Sequence, residues 1–147
     1  MRAVLQQVSK ASVSVDGHLI SNINQGWLVL LGIHNDDNHK DIDYIVQKIT
    51  QTRAFDNDGS AIGCIDAGKE VLLVSQFTLY GDLRKGRRPS FAESVKSEKA
   101  EKIYQDTKKS LVETGCRAKF GKFGAYMQVS LTNDGPFTLI VDSSRIL

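Results

Sequence analysis

The sequence predicts a mixed α+β fold: strand-rich, sandwich- or barrel-like sheets with two helices packed on one side. Three observations carry that expectation. Alternating and short apolar segments recur along most of the 147 residues, only two stretches have helical periodicity, and strands separate those two. The length suits a single domain over residues 1–147, and no repeat, linker or low-complexity tract interrupts it.

Residues 3–15 alternate with a period of two and read as a strand with one polar face. Asp16-Gly17 is a two-residue hairpin signal, because glycine accepts the positive φ of a type I′ turn, and His18-Leu19-Ile20 begins the return strand. After Asn24-Gln25-Gly26, the run Trp27 to Ile33 is apolar on both faces, hence central and buried. Asp37 or Asn38 caps a helix whose Ile42, Ile45, Val46 and Ile49 fall at i, i+3, i+4 and i+7. Arg53-Ala54-Phe55 forms a short strand before the turn Asp56-Asn57-Asp58-Gly59, which lacks the glutamate and spacing of a calcium loop. Glu70 to Phe77 is a further apolar strand. A second helix starts near Ser94 or Ser97, turns Ala100, Ile103, Tyr104, Thr107 and Leu111 inward, and ends at Gly115. Two closing strands, Ala125 to Thr132 and Phe137 to Asp142, flank a turn at Asn133-Asp134-Gly135-Pro136.

With 19 Lys+Arg against 17 Asp+Glu, the chain has a formal charge of +2, too little for bulk nucleic-acid binding. Arg84-Lys85-Gly86-Arg87-Arg88 nevertheless concentrates four cations in one short run, which reads either as a solvated loop or as a phosphate-contacting patch. Cys64 and Cys116 stand in unrelated contexts and suit a reducing, cytosolic setting; His18, His34 and His39 have no zinc spacing, so neither metal nor cofactor is expected. The longest apolar run is too short to span a bilayer, and the opening Met1-Arg2-Ala3-Val4 lacks the plan of a signal peptide, so a membrane location is excluded. No HExxH, GxSxG or glycine-rich phosphate loop is present, and no histidine stands beside a nucleophile in sequence. An enzyme built this way does not work through a charged side-chain relay.

Two local patterns carry more. Ser75-Gln76-Phe77-Thr78-Leu79-Tyr80 ends an apolar strand in polar atoms and an aromatic face. Thr132-Asn133-Asp134-Gly135-Pro136-Phe137-Thr138 holds Gly-Pro between two strands, which taken alone is a hairpin turn. Together with Met1-Arg2-Ala3-Val4-Leu5-Gln6, Gly32, Arg53-Ala54-Phe55, the Arg84 to Phe91 run and Phe123-Gly124-Ala125-Tyr126-Met127, they fall in one order. From Met1 to about Ser143 the chain resembles the D-aminoacyl-tRNA deacylase family, and the combination of SQxxL with NxGPxT is specific.

The resemblance implies a homodimer, active sites at the subunit interface, no cofactor, a cytoplasmic location, and hydrolysis of the ester joining a D-amino acid or glycine to the 3′-terminal adenosine of tRNA. By carry-over, Ser75, Gln76, Phe77, Thr78 and Leu79 form one wall of the adenosine pocket. Phe123 and Gly124 lie near the adenine, and Ala125, Met127 and Asn133 belong to the substrate-binding set. Gly135 and Pro136, joined by a cis peptide in the family, reach into the partner's pocket and present main-chain carbonyls. An L side chain then collides with backbone, a D side chain points to solvent, and glycine (including glycine mischarged on tRNA-Ala) escapes the filter. Arg84, Lys85, Arg87 and Arg88 lean towards acceptor-stem phosphates. Substrate-assisted hydrolysis through the terminal 2′-hydroxyl fits the missing acid–base set, with Thr78 as a covalent nucleophile the alternative. A non-catalytic tRNA-end-binding module is the competing reading from another class.

Two departures from the family stand out. Position 7, usually basic and engaged with the Gly-Pro loop, is Gln7; a paralogous group with relaxed chirality and a trans Gly-Pro shares that glutamine, although the Ser75 to Leu79 motif favours strict D selectivity. Ala61-Ile62-Gly63 also replaces the usual Met-Asn after a basic residue.

Overall fold

The computed structural model describes residues 1–92 and 97–146. Its central strand is β1 (Arg2–Val15), which turns through Asp16 and Gly17, both at positive φ, into β2 (His18–Ile23). One edge of β1 pairs antiparallel first with β3 (Gly26–Gly32) and then with β2; its other edge pairs along its length with the last strand. A capping box opens α1 (His39–Gln51): the Lys40 amide donates to Asn38 Oδ1 at 3.0 Å and the Asn38 amide to Asp41 Oδ2 at 2.9 Å. Asn38 is thus the cap, while Asp37 is buried against the α-ammonium of Met1.

The hairpin of β4 (Phe55–Asn57) and β5 (Ser60–Ile62) follows α1, so the short strand begins at Phe55, later than Arg53. Next, β6 (Glu70–Ser75) lies parallel to β3 and stops two residues before the expected Phe77; residues Phe77–Tyr80 are a 3₁₀ turn. Helix α2 (Ser97–Glu113) ends before Gly115, whose φ of 83° lets the chain reverse; Ser94, the other expected start, lies outside the described residues. Sequence periodicity missed β7 (Arg117–Phe120), whose four residues pair parallel with β6.

The expected closing hairpin is instead one strand, β8 (Gln128–Asp142). Both halves run antiparallel to β1, with Asn133 opposite Val8 and Thr138 opposite Gln6. A hairpin would reverse the chain. Here only Gln7 faces the four residues from Asp134 to Phe137, which are extruded as a wide bulge.

The strand order β2–β1–β3–β6–β7 curls until its ends meet: Ser21 Oγ donates to the Phe120 carbonyl at 2.8 Å and Lys119 Nζ to the Asn22 carbonyl at 2.6 Å. Val8, Ala11, Val13, Ile23, Leu28 and Leu72 fill the inside of this barrel-like sheet. The alternate residues, including Leu5, Trp27, Val29 and Leu73, pack outward against the stripes Ile42, Ile45, Val46, Ile49 and Ile103, Tyr104, Leu111 of two mutually packed helices. Both predicted helical faces are buried as expected, and Thr107, buried with them, donates its hydroxyl to the Ile103 carbonyl at 2.7 Å. Cys64 and Cys116, unrelated in sequence, meet in this core. The hydrogen bond to Cys116 together with burial pushes the Cys64 thiol far up, so it stays protonated.

Candidate active site

The parallel strands β3 and β6 end side by side, and ligands of such sheets bind beyond the carboxyl ends of strands. The Gln76 amide donates to the Leu31 carbonyl at 2.7 Å, one more rung before the chain breaks into the Phe77–Tyr80 turn. Gly32 admits that turn, since a Cβ there would lie 3.0 Å from Leu79 Cβ and 3.2 Å from the Gln76 carbonyl oxygen. Arg2 then fixes it. Its guanidinium donates to the Leu79 carbonyl at 2.9 Å and to Asp142 Oδ2 at 3.0 Å, and lies 4.8 Å over the Tyr80 ring. One cation thereby joins β1, the end of β8 and the motif turn.

The opposite wall begins where the Gly121 amide donates to the Leu73 carbonyl at 2.9 Å. The chain turns at Gly124, φ 72°, with the Ala125 amide donating to the Lys122 carbonyl at 3.2 Å. Phe123 rests on the ring of Tyr104 at 5.4 Å between centroids, and Tyr104 is anchored by its hydroxyl to the Leu73 carbonyl at 2.9 Å. Between the two walls lies a cavity of about 550 Å³, floored by apolar side chains such as Leu31, Val74 and Ala100. That size falls within the roughly 300–1,000 Å³ of small-molecule sites.

Of the residues expected at the site, Ser75, Gln76, Phe77, Phe123, Gly124, Ala125 and Met127 line this cavity. Thr78 and Leu79 stand in the turn behind: the Thr78 hydroxyl accepts from Gln76 Nε2 at 2.5 Å, and Leu79 packs at Gly32. Asn133, Gly135 and Pro136 do not line it. They belong to the β8 bulge, where Gly135–Pro136 is cis and Gly135 has nothing within 4 Å of the position a Cβ would take. Residues Ala61 to Gly63 also lie away from the cavity, on and just after β5.

Gln6 holds the bulge. Its Nε2 donates to the Phe137 carbonyl at 3.3 Å and to the Asn133 side-chain oxygen, while its Oε1 accepts from Thr138 Oγ1 at 2.6 Å. The resemblance put that task at position 7, yet Gln7 Oε1 is buried without a hydrogen-bond partner among the described residues. Among the contributors that sequence reasoning left out are Gln6, Arg2 and Tyr126. The first two sat within the quoted opening Met1 to Gln6; Tyr126 sat inside the Phe123 to Met127 motif.

The basic run forms an exposed loop closed by an antiparallel bridge, Asp82 with Ser90, at 2.8 and 2.9 Å. Arg84 grips both oxygens of Asp82 at 2.9 Å, and these bonds hold the Asp82 carboxyl down at about 2. Phe91 sets its ring edge-on to Phe77, 5.2 Å away, which ties the loop of Lys85, Arg87 and Arg88 to the cavity wall.

Comparison with known proteins fits this geometry. The family described as D-Tyr-tRNA(Tyr) deacylase matches residues 4–142. A protein of Thermosipho africanus named D-aminoacyl-tRNA deacylase is 47% identical over 148 residues, covering 99% of each chain. One of the same name from Clostridioides difficile is 48% identical over 147 residues, again covering 99% of each. A solved structure titled c-Myc DNA Unwinding Element Binding Protein superposes with a TM-score of 0.91 at 41% identity, over 97% of this chain and 98% of that one. Another, titled as a probable eukaryotic D-amino acid tRNA deacylase, shares the fold with a TM-score of 0.82 at 17% identity, over 95% and 97%. With Ser75 to Phe77 and Phe123 to Met127 walling one cavity and the match running almost end to end, the chain belongs to the D-Tyr-tRNA(Tyr) deacylase family.

Proposed function

We propose that the protein hydrolyses the ester between a D-amino acid and the 3′-terminal adenosine of tRNA, as a homodimer in which the Gly135–Pro136 bulge of one subunit enters the cavity of the other. One observation carries this reading: the two halves of the family pattern do not meet within one chain. The Ser75 to Phe77 wall lines the cavity, whereas the bulge stands out from the sheet with open space around Gly135. A second copy can complete the site.

The surface between them supports the same arrangement. Among the described residues the outer edge of β8 pairs with no strand, and such an edge is a template for association. Ile140 is 63% exposed and Phe77 58%, and half-buried Val4 and Leu30 stand in register beside Ile140 on the face turned away from the helices.

In this reading the bulge offers main-chain oxygens and no side-chain chemistry. An L side chain is driven into backbone, a D side chain leaves towards solvent, and glycine passes, including glycine mischarged on tRNA-Ala. Ser75, Gln76 and Phe77 seat the terminal ribose and base opposite Phe123, whose face is available for stacking. Asn133 braces the bulge through Gln6. The catalytic water is activated by the substrate's own 2′-hydroxyl, with main-chain groups stabilising developing charge. Thr78 supports this over covalent attack, because its hydroxyl is partnered by the Gln76 side-chain amide, whose NH2 donates to it and cannot take its proton. Lys85, Arg87 and Arg88 face acceptor-stem phosphates, and Arg84, clamped on Asp82, shapes their loop. The substrate places the enzyme in the cytoplasm.

The test is hydrolysis of D-Tyr-tRNA, L-Tyr-tRNA and D-Tyr-tRNA ending in 2′-deoxyadenosine. Rapid cleavage of the first alone is expected. Cleavage of both natural esters would mark a relaxed-chirality enzyme, binding without cleavage an RNA-end-binding module, and full cleavage of the deoxy substrate with loss in Thr78→Val a covalent route.

A further inference from the structure

Tyr126 lies at the mouth of the cavity and is 89% exposed, more than any other large hydrophobic side chain among the described residues. Its ring has neither an aromatic nor a hydrogen-bond partner among them. The backbone beneath it is nonetheless fixed: Gly124 takes its left-handed conformation, the Ala125 amide closes the turn on Lys122, and Phe123 before it is packed on Tyr104. A rigidly mounted aromatic face open to solvent at a site's entrance is disposed to meet something flat. Only two side-chain torsions must be frozen to use it.

We infer that Tyr126 is a stacking platform for the base of the penultimate nucleotide of the tRNA 3′ end. The inference rests on the deacylase reading and extends it outward by one nucleotide. If the cavity between Phe77 and Phe123 takes the terminal adenosine, the strand must leave through the mouth, and the next base passes Tyr126. Lys122, exposed in the same turn, supplies a cation for the connecting phosphodiester. Every base has a π-face, so stacking here is indifferent to sequence and suits an enzyme that meets many tRNAs. By alanine substitution a base–aromatic stack is worth about 1–3 kcal/mol, which is roughly 5- to 150-fold in affinity.

The experiment compares Tyr126→Ala and Tyr126→Trp with wild type on two substrates, D-Tyr-tRNA and 3′-O-D-tyrosyl-adenosine, which lacks the penultimate nucleotide. The ratio of their kcat/KM values is expected to fall at least fivefold in the alanine variant, mostly through KM, and to return in the tryptophan variant. A ratio within twofold of wild type overturns the inference, even if both substrates are cleaved more slowly. So does an unchanged ratio with a shifted monomer–dimer equilibrium by sedimentation, which would make Tyr126 an interface residue. Should wild type cleave neither substrate, the deacylase reading falls by itself. The platform is then decided by the Kd of the uncharged trinucleotide CCA relative to adenosine, which must show the same fivefold dependence on Tyr126.

Discussion

Replacing Gln6 by Ala removes a side chain that grips both flanks of the β8 bulge. Three bonds to bulge residues disappear: the donations to the Asn133 side chain and the Phe137 carbonyl, and the acceptance from Thr138 Oγ1. A typical hydrogen bond nets about 0.5–1.5 kcal/mol, and these lie on the exposed side, so roughly 0.5 kcal/mol each is appropriate. Their sum, about 1.5 kcal/mol, lowers the docked-to-open equilibrium of the bulge roughly tenfold. Because apparent affinity scales with the competent fraction, kcat/KM for D-Tyr-tRNA should fall by that factor. The ladder of β1 is main-chain and survives, so the melting temperature should move by no more than a few degrees. Hydrogen exchange should quicken over residues 133–138 while β1 and β3 stay protected. Gln6→Glu, which keeps the acceptor for Thr138 and loses both donors, should fall between the two. The contrasting variant is Gln7→Met: removing a buried oxygen that has no partner among the described residues should leave stability unchanged or slightly raised and the bulge in place. A Gln6→Ala enzyme within twofold of wild type, or a Gln7→Met enzyme that loses activity as Gln6→Ala was expected to, would refute the assignment of the anchor to position 6.

Other consequences concern charge. Burial pushes the Glu70 carboxyl up, but the Asn24 amide at 2.8 Å and the cations of Lys119 at 3.3 Å and Arg117 at 3.8 Å outweigh it and hold it below its ordinary 4.5. A carboxyl depressed in the folded state adds stability above its unfolded pKa, and that contribution is lost as pH falls through the lower folded value. Melting temperature should therefore drop more steeply below about pH 4.5 in wild type than in Glu70→Gln, and parallel curves would sink this account. On the basic loop, Arg87→Ala with Arg88→Ala should make the log–log dependence of kcat/KM on salt shallower by about 1.4–1.8, the two phosphates relinquished. An unchanged slope would make the loop merely solvated.

The helices were legible because their physics is local and periodic. Ile42, Ile45, Val46 and Ile49 sit on one face in any environment, and Asn38 and Asp41 carry the cap between them. The buried strand beginning at Trp27 was equally plain. Misreadings came where tertiary pairing overrides local signals. Arg117 to Phe120 is too short and too charged to announce a strand, yet β6 supplies the partner and Glu70 its counter-charge. Cys64 and Cys116 gave no sign of meeting, since the parallel neighbours β6 and β7 that bring their approaches together are joined by a long crossover.

The bulge is the most instructive misreading, because it explains why residue type pointed to the site without disclosing its construction. Asn-Asp-Gly-Pro is turn chemistry, but whether the flanking strands fold back on each other or continue along a third is decided by β1, more than a hundred residues away in sequence. The same holds for the chemistry. A filter made from backbone carbonyls needs no acid, base or nucleophile at a recognisable spacing; it needs a small residue at the tip, an anchor at each flank, and a cavity in another copy to receive it. Gly135, Gln6 and the Ser75 to Phe77 wall satisfy those three requirements separately, on different elements and across two subunits in the proposed dimer. If that division is right, a heterodimer should reveal it. Pairing a subunit with Gly135 replaced by Phe with one carrying Gln76→Ala leaves one site that receives a normal bulge at a normal wall and one that is doubly defective. Equal mixtures, in which half of the dimers pair one subunit of each kind, should recover up to about a quarter of the wild-type activity that neither parent shows, and a strictly monomeric enzyme would recover none.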